Sequence, residues 1–400
     1  MTNKKNIVPP LLQEDLEHVL THTKPLWEQV RGGRIFVTGA TGFFGTWLLE
    51  TFLYANDQLK LGAELVGLSR NSAAFAAKAP HIVNHPAITM HAGDVRDFIF
   101  PNPTFTIRDG DLSQYTRPQN DFLNHSCMKH TPHDFKNDFE TKSSQNLIHS
   151  NSESRVGKFS HVIHAGTTSS APVPPLEMLE TITRGTRRAL DFAVACEAKR
   201  FLFVSSGAVY GDARSEQHHF SEEDHAAPDP MNSASAYGEG KRFAELLCRL
   251  YHDNHQLETT IARCFAFVGP HLPLNAHFAI GNFLRDALEK KPIVIKSDGQ
   301  SQRSYLYAAD LMIWLWTILF KGQPCRPYNV GSEHALTIKQ LAEKVHDTLQ
   351  LKEKVQIGTG GKTSCYVPDT TRAHKELGLQ EWVTIEESVR KCFDWAAEIT

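Results

Sequence analysis

The feature that most restricts what this chain can fold into is a run of three glycines at three-residue intervals, Gly39-Ala40-Thr41-Gly42-Phe43-Phe44-Gly45. Arg34 to Thr38 reads as a short strand leading into it, and Trp47, Leu48, Leu49, Phe52 and Leu53 follow at helical spacing. Between a strand and a helix each glycine has a separate task. The first allows a tight turn, the second lets the backbone approach a pyrophosphate, and the third lets the helix pack on the sheet, its N-terminus facing negative charge. The loop, with Thr41, Phe43 and Phe44 between its glycines, is therefore read as the cradle of a bound dinucleotide.

The pattern around the loop continues in the same sense. A second strand over Glu64 to Leu68, an apolar run over Phe159 to Ala165, a helix across Leu179 to Ala198, a strand Arg200 to Ser205, a helix from about Ala236 to His252 and a strand Thr259 to Phe265 alternate along the chain. Such alternation predicts an α/β fold, a doubly wound parallel sheet of the Rossmann kind covered on both faces. Three regions are expected. Residues 1–32, with Leu12, Leu16, Val19 and Leu20 at helical spacing, form an N-terminal helical extension; residues 33–270 form the dinucleotide-binding domain; residues 271–400 form mainly a smaller C-terminal α/β substrate lobe, with about 303–320 returning to the first domain. From about Pro101 to Lys158 the chain is rich in Asn, Asp, Ser, His and Thr, the composition of a polar insertion. His125, Cys127, His130 and His133 lie within it, but their spacing matches no zinc pattern, and no metal is expected.

Composition narrows the partners. A formal net charge of -3 over 400 residues provides no broad basic field, which argues against nucleic acid. Seven cysteines, scattered and never in a Cys-x-x-Cys pair, fit a reducing cytoplasm. Lys4 and Lys5 are not followed by an apolar core and small-residue cleavage site, and no apolar stretch reaches membrane-spanning length, so a soluble cytoplasmic protein is expected.

Tyr237 and Lys241 stand four apart within the predicted helix and so share a face. A neutral phenol is a poor base, but a fixed ammonium nearby favours phenolate and lowers its pKa toward a useful range. The pair follows the strand end Ser205-Ser206-Gly207-Ala208-Val209-Tyr210-Gly211 by about thirty residues. Together with the Gly-x-x-Gly-x-x-Gly spacing, Asp94-Val95 and His164-Ala165-Gly166, these segments resemble the extended branch of the short-chain dehydrogenase/reductase superfamily, the NAD(P)-dependent sugar-nucleotide epimerases and dehydratases. The likeness runs from about Arg34 to the C-terminus, the insertion excepted.

The resemblance implies roles. Asp94 and Val95 would meet the adenine, and His164, Ala165 and Gly166 would form the cofactor-binding loop after the fourth strand. Ser206 would hydrogen-bond the reacting hydroxyl, Tyr237 would take its proton, and Lys241 would also hold the nicotinamide ribose. Arg303 and Asn282 match residues that hold the diphosphate of a nucleotide-diphosphate sugar. Relatives are commonly homodimers built through the helix carrying the Tyr-Lys pair and its neighbour. One departure is Ile182, which stands where many relatives carry an asparagine ahead of Gly185-Thr186.

Two short segments refine the expectation. In sugar-nucleotide 4,6-dehydratases the two residues after the serine are Asp-Glu, an acid and a base for elimination, and related decarboxylases keep a Glu. Here they are Gly207 and Ala208, so elimination lacks its proton carriers unless Glu222, Glu223 or another carboxylate reaches in. An epimerase is the reading this supports, with a 4-keto-sugar reductase or dehydratase as alternatives. From another class, a non-catalytic cofactor-binding scaffold could use the insertion to hold a protein partner, although the Tyr-Lys pair argues against it. The cofactor is NAD or NADP. The second strand ends in Ser69-Arg70 rather than an acidic residue, which leans toward NADP.

Overall fold

Strands buried on both faces carry continuous apolar runs, and Ile35-Phe36-Val37, Val162-Ile163 and Phe201-Leu202-Phe203 are fully buried at the centre of the molecule. The computed structural model describes residues 7–101, 156–166, 173–213, 219–276 and 278–399. All the strands and helices named below belong to one compact unit, within Met1–Phe100 and Lys158–Thr400. The polar insertion, with His125, Cys127, His130 and His133, lies outside the described residues apart from its ends.

Seven parallel strands make the main sheet: β1 (Arg34–Thr38), β2 (Glu64–Ser69), β3 (Ile88–Ala92), β4 (His161–His164), β5 (Arg200–Ser206), β6 (Glu258–Cys264) and β7 (Pro327–Val330). Their order across the sheet is β7-β6-β5-β4-β1-β2-β3. Val37 lies opposite both Gly67 and Ile163, and Ser206 lies opposite Cys264. The direction of winding reverses between β1 and β4, and at such a switch point the carboxyl ends of the strands leave a crevice. The doubly wound parallel sheet expected from the alternation is present. The sequence pattern did not reveal β3 or β7. β3 is a partly exposed edge strand of mixed polarity, and β7 is four residues long with a proline at its start, a position an edge strand tolerates.

The helices that frame the site are α1 (Gln13–Thr23), α2 (Phe43–Leu59), α3 (Pro175–Ala195), α4 (Ala236–His255) and α5 (Ala308–Lys321). The helical spacing over Leu11 to Val30 resolves into α1 and a 3₁₀ segment, Lys24–Val30, because Pro25 cannot continue the α-helical hydrogen bonding. α5 is apolar all round, the pattern of a helix with no solvent face, and Ala308 to Phe320 are all buried. Its Trp316 ring lies 4.6 Å from that of Trp27 and donates Nε1–H to Thr51 Oγ1 at 3.0 Å. One residue thus joins the N-terminal segment, α2 and α5.

α1 is tied down by polar contacts as well. Tyr307 donates its hydroxyl to the buried Asp15 at 2.6 Å, Lys391 Nζ donates to the same carboxylate at 2.9 Å, and His18 Nε2 lies 2.9 Å from Asp310. Among the described residues no helix is long and apolar enough to cross a membrane. Trp316→Ala is expected to destabilise the protein by roughly 3–5 kcal/mol, because the cavity would open between three elements that cannot all relax into it. Urea unfolding followed by circular dichroism measures this.

Candidate functional site

Gly39 leaves β1 with φ +71°, the left-handed region, and a Cβ there would lie 2.7 Å from the carbonyl oxygen of Ala165. A Cβ on Gly45 would overlap the Gly39 carbonyl, whereas one on Gly42 would meet only Gly39 O, at 3.5 Å. Two glycines therefore serve close packing and the third keeps the loop's outer side open. Gly42 caps α2 without any side-chain hydrogen bond. The first-turn amides are left for an anion, which is the fit a dinucleotide pyrophosphate requires.

The loop forms one wall of a cavity of about 510 Å³ at the carboxyl ends of the strands. Gly39, Thr41, Gly42, Phe43, Phe44, Gly45, Ser69, Arg70, Asp94, Val95, Ala165, Gly166, Ser206, Tyr237 and Lys241 all line it. These residues come from five strand ends with their loops and from one helix, and the sheet topology gathers them. Asp94 is held by Arg96 through Nε at 2.9 Å and Nη2 at 3.0 Å; burial opposes its ionisation, but these bonds outweigh it and keep the pKa below the usual range. Arg70 is exposed and lines the cavity, as does Lys78, a cation the sequence pattern did not reveal.

His164 departs from expectation. Its ring does not line the cavity but is buried between Thr38 Oγ1 at 2.7 Å and Thr186 Oγ1 at 3.1 Å, and burial pushes its pKa down to about 3. It braces the loop from beneath, since Thr38 Oγ1 also accepts the Gly166 amide at 3.0 Å. Asn282 and Arg303 do not line the cavity either. Asn282 is used within its own turn, donating to Ala276 O at 3.1 Å and accepting from Arg285 at 2.9 Å. Arg303 donates to Gln302 O at 2.7 Å and Ser364 Oγ at 3.0 Å, and its guanidinium lies 5.9 Å from the Tyr366 ring centroid.

At the other end α4 presents Tyr237 and Lys241 to the end of β5. Lys241 is buried, donates to Val204 O at 2.7 Å, and lies 4.8 Å from the Phe203 ring centroid and 5.8 Å from that of Tyr237. Burial pushes its pKa down to about 8. The phenol of Tyr237 is raised by burial, with hydrogen bonding to Ser206 pulling the other way. The expected lowering of Tyr237 by the ammonium is thus not what the protein alone provides, because desolvation is the larger effect. Ser206 Oγ accepts the Ala208 amide at 3.2 Å and lies 3.3 Å from the hydroxyl of Tyr366.

No carboxylate replaces the missing Asp-Glu pair among the described residues. A Cβ on Gly207 would lie 2.7 Å from the Phe265 ring, which fills the space a longer side chain would need. Glu222 is buried and accepts the Asn329 amide at 2.7 Å, while Glu223 is paired with Arg372. Asp94, at the far end, is the one carboxylate among the described residues that line the cavity. Ile182 is buried beside Gly240, and its neighbour Thr181 reaches the cavity instead. Thr181, His271, Phe265 and Tyr366 were missed by the sequence reading. Only Phe265, at the end of a recognisable strand, left any signal.

The buried lysine also makes stability depend on pH. Its folded pKa of about 8 lies below the ordinary lysine value of 10.5, so below pH 8 both states carry the charge and the folded state bears the full desolvation penalty. Between the two values the unfolded chain holds more protons and stability rises with pH. Lys241→Met is therefore expected to be more stable than the parent below pH 8, by on the order of 2–3 kcal/mol, with the difference closing by about pH 10.5. Thermal melts across this range measure it.

Comparison with known proteins agrees with the architecture. Residues 142–331 match the sequence model of the NAD dependent epimerase/dehydratase family. The chain is 24% identical to UDP-glucuronic acid decarboxylase 2 of Arabidopsis thaliana over 367 residues, which is 91% of this chain and 68% of that protein. It is 31% identical to UDP-glucuronic acid decarboxylase 4 of the same plant over 217 residues, 54% of this chain and 48% of the relative, so it spans about half the length of the latter. Among solved structures, UDP-N-acetylglucosamine 4-epimerase from Methanobrevibacter ruminantium M1, in complex with UDP-N-acetylmuramic acid, shares the fold with a TM-score of 0.68 at 18% identity, over 92% of this chain and 99% of that one. The glycine loop, the strand order and the Ser-Tyr-Lys group at the switch-point crevice thus stand beside a match to the NAD dependent epimerase/dehydratase family over residues 142–331 and a fold shared with a sugar-nucleotide epimerase.

Proposed function

We propose that the protein is an NAD(P)-dependent epimerase of a nucleotide-diphosphate sugar, acting through a transient 4-keto sugar. The observation that carries this reading is the combination at the catalytic end: Ser206, Tyr237 and Lys241 line the cavity, while Gly207 is packed against Phe265 and, among the described residues, no carboxylate lines that end of the cavity. When bound, the nicotinamide accepts and returns a hydride. Tyr237 takes the proton of the C4 hydroxyl as the hydride leaves C4, and Ser206 holds the same oxygen by hydrogen bonding. After the keto sugar turns over, hydride returns to the opposite face and Tyr237 gives back the proton, so no net redox change remains. Lys241 orients the cofactor's ribose. Arg70, which follows β2 and lines the cavity, favours NADP over NAD by supplying positive charge for a 2′-phosphate.

A second reading is favoured by the names of the curated relatives, which are decarboxylases of UDP-glucuronic acid. Oxidation of a uronic sugar at C4 produces a β-keto acid, whose loss of carbon dioxide needs no side-chain base. The absence of the acid-base pair therefore weighs against dehydration more heavily than against decarboxylation. Net reduction of a 4-keto sugar uses the same three residues, and a non-catalytic scaffold would not need them.

Incubation with UDP- and dTDP-hexoses and with UDP-glucuronic acid, with NAD or NADP, separates these readings by NMR of the products. The expected outcome is a mixture of C4 epimers with no net change in reduced cofactor. A 4-keto-6-deoxy sugar would mean a dehydratase, a UDP-pentose a decarboxylase, and net oxidation of reduced cofactor a reductase. Tyr237→Phe should lower turnover by about 10²-fold or more while cofactor binding persists; unchanged biological activity would favour the scaffold.

We also infer a homodimer built through α3 and α4. Phe243, Leu246 and Leu250 are exposed along one face of α4, and an apolar stripe of this kind suits a covered surface. Light scattering after size exclusion should give about twice the 44.9 kDa chain mass, and a monomer at micromolar concentration would rule the dimer out.

A further inference from the structure

We propose that Tyr366 is a positioning residue of the catalytic centre, its hydroxyl donating to Ser206 Oγ so that the serine's own proton is turned toward Tyr237. The proposal rests on the reading of Tyr237 as the base, whichever redox reaction follows. Tyr366 lies 160 residues from Ser206 in sequence, on the short strand Cys365–Tyr366, and nothing around either residue announces the contact. Its place is held from three sides. The strand pairs in parallel with Gln302–Arg303, bringing Tyr366 opposite Arg303; its ring packs on that of Phe265 at 4.6 Å between centroids; and its hydroxyl lies 3.3 Å from Ser206 Oγ and 3.4 Å from the Cys264 carbonyl.

Counting protons shows what the contact does. Ser206 Oγ has one proton and two lone pairs, and one lone pair already takes the Ala208 amide at 3.2 Å. If Tyr366 donates to the Cys264 carbonyl, Ser206 can spend its proton on Tyr366. If Tyr366 donates to Ser206 instead, the second lone pair is filled and the serine proton is free for Tyr237. A phenolate only accepts, so ionisation of Tyr237 selects the second arrangement, a directed chain from Tyr366 through Ser206 to the Tyr237 oxygen. Each link polarises the next, and hydrogen bonding to the charged form favours that form. The chain thus opposes the burial that raises Tyr237. Tyr366 is not an alternative base, because it stands behind Ser206 and does not line the cavity.

Tyr366→Phe in the full chain keeps the ring and its packing on Phe265 and removes only the hydroxyl. The expected result is a kcat lowered by about tenfold or more with KM within about twofold, and the acidic limb of the pH–kcat profile moved up by about one unit. A second readout needs no sugar substrate: the ultraviolet tyrosinate titration of the cofactor-loaded protein, taken as the difference from Tyr237→Phe, should shift upward in Tyr366→Phe. In a Ser206→Ala background the substitution should have no further effect on either readout. An unmoved tyrosinate titration, or effects that add in the double variant, would overturn the proposal. If no sugar nucleotide is turned over but the titration shifts as expected, the inference about Tyr366 stands and the epimerase reading falls.

Discussion

The arrangement of the cavity end that holds Ser206, Tyr237 and Lys241 depends on one buried ion pair. Arg263 of β6 donates to Glu245 of α4 through Nε at 3.1 and 3.2 Å and through Nη2 at 2.7 Å, in a setting nearly closed to solvent. Glu245 also accepts the hydroxyl of Ser205 at 2.6 Å, and Arg263 Nη1 donates to Tyr210, which donates on to Asn329 at 2.8 Å. β5, β6, β7, the turn after β5 and α4 are all members of this network. Tyr237, Lys241 and Glu245 follow one another at four-residue intervals, so anchoring Glu245 sets the roll of α4 about its axis and aims the other two at the end of β5. A pair of this kind adds little net stability over apolar packing, yet loss of one partner leaves an unpaired buried charge, which makes the geometry hard to relax.

The site that results is governed by desolvation. Lys241 is drawn down toward neutrality, Tyr237 is drawn up, and His164 is held neutral under the loop, all through burial. Such a pocket does not by itself prepare a phenolate. It provides a dry, apolar wall of Cys264, Phe265, Ala266 and Phe267 in which any hydrogen bond or charge counts for more than it would in water. Phe265 has a double part here. It occupies the space in front of Gly207 and supports the ring of Tyr366.

How much of this was legible in the sequence depends on how local each feature is. The glycine loop could be read because its three constraints, a turn, an open approach and a helix packed on a strand, all fall within seven residues. The Tyr237-Lys241 pair could be read because helical periodicity alone puts both on one face. The place of the His164 ring was not legible for the opposite reason: alternation along β4 shows only that side chains point to opposite faces, and the partners that claim its ring, Thr38 and Thr186, come from other elements. Asn282 matched a pattern, but its side chain is taken by neighbours in its own turn.

By itself, then, the sequence determined the strand-helix alternation, the dinucleotide loop, the identity of the Ser-Tyr-Lys group and the lack of an acid-base pair after Ser206. These depend on residue type, short spacing and the period of the backbone. Tertiary structure alone decided that Glu222 and Glu223 are engaged away from the cavity, that Phe265 closes the space beside Gly207, that Lys78 lines the cavity, and that Tyr366 stands behind Ser206. Each of these depends on segments far apart in the chain meeting at the carboxyl edge of the sheet, and the distances that determine charge and proton direction arise only there.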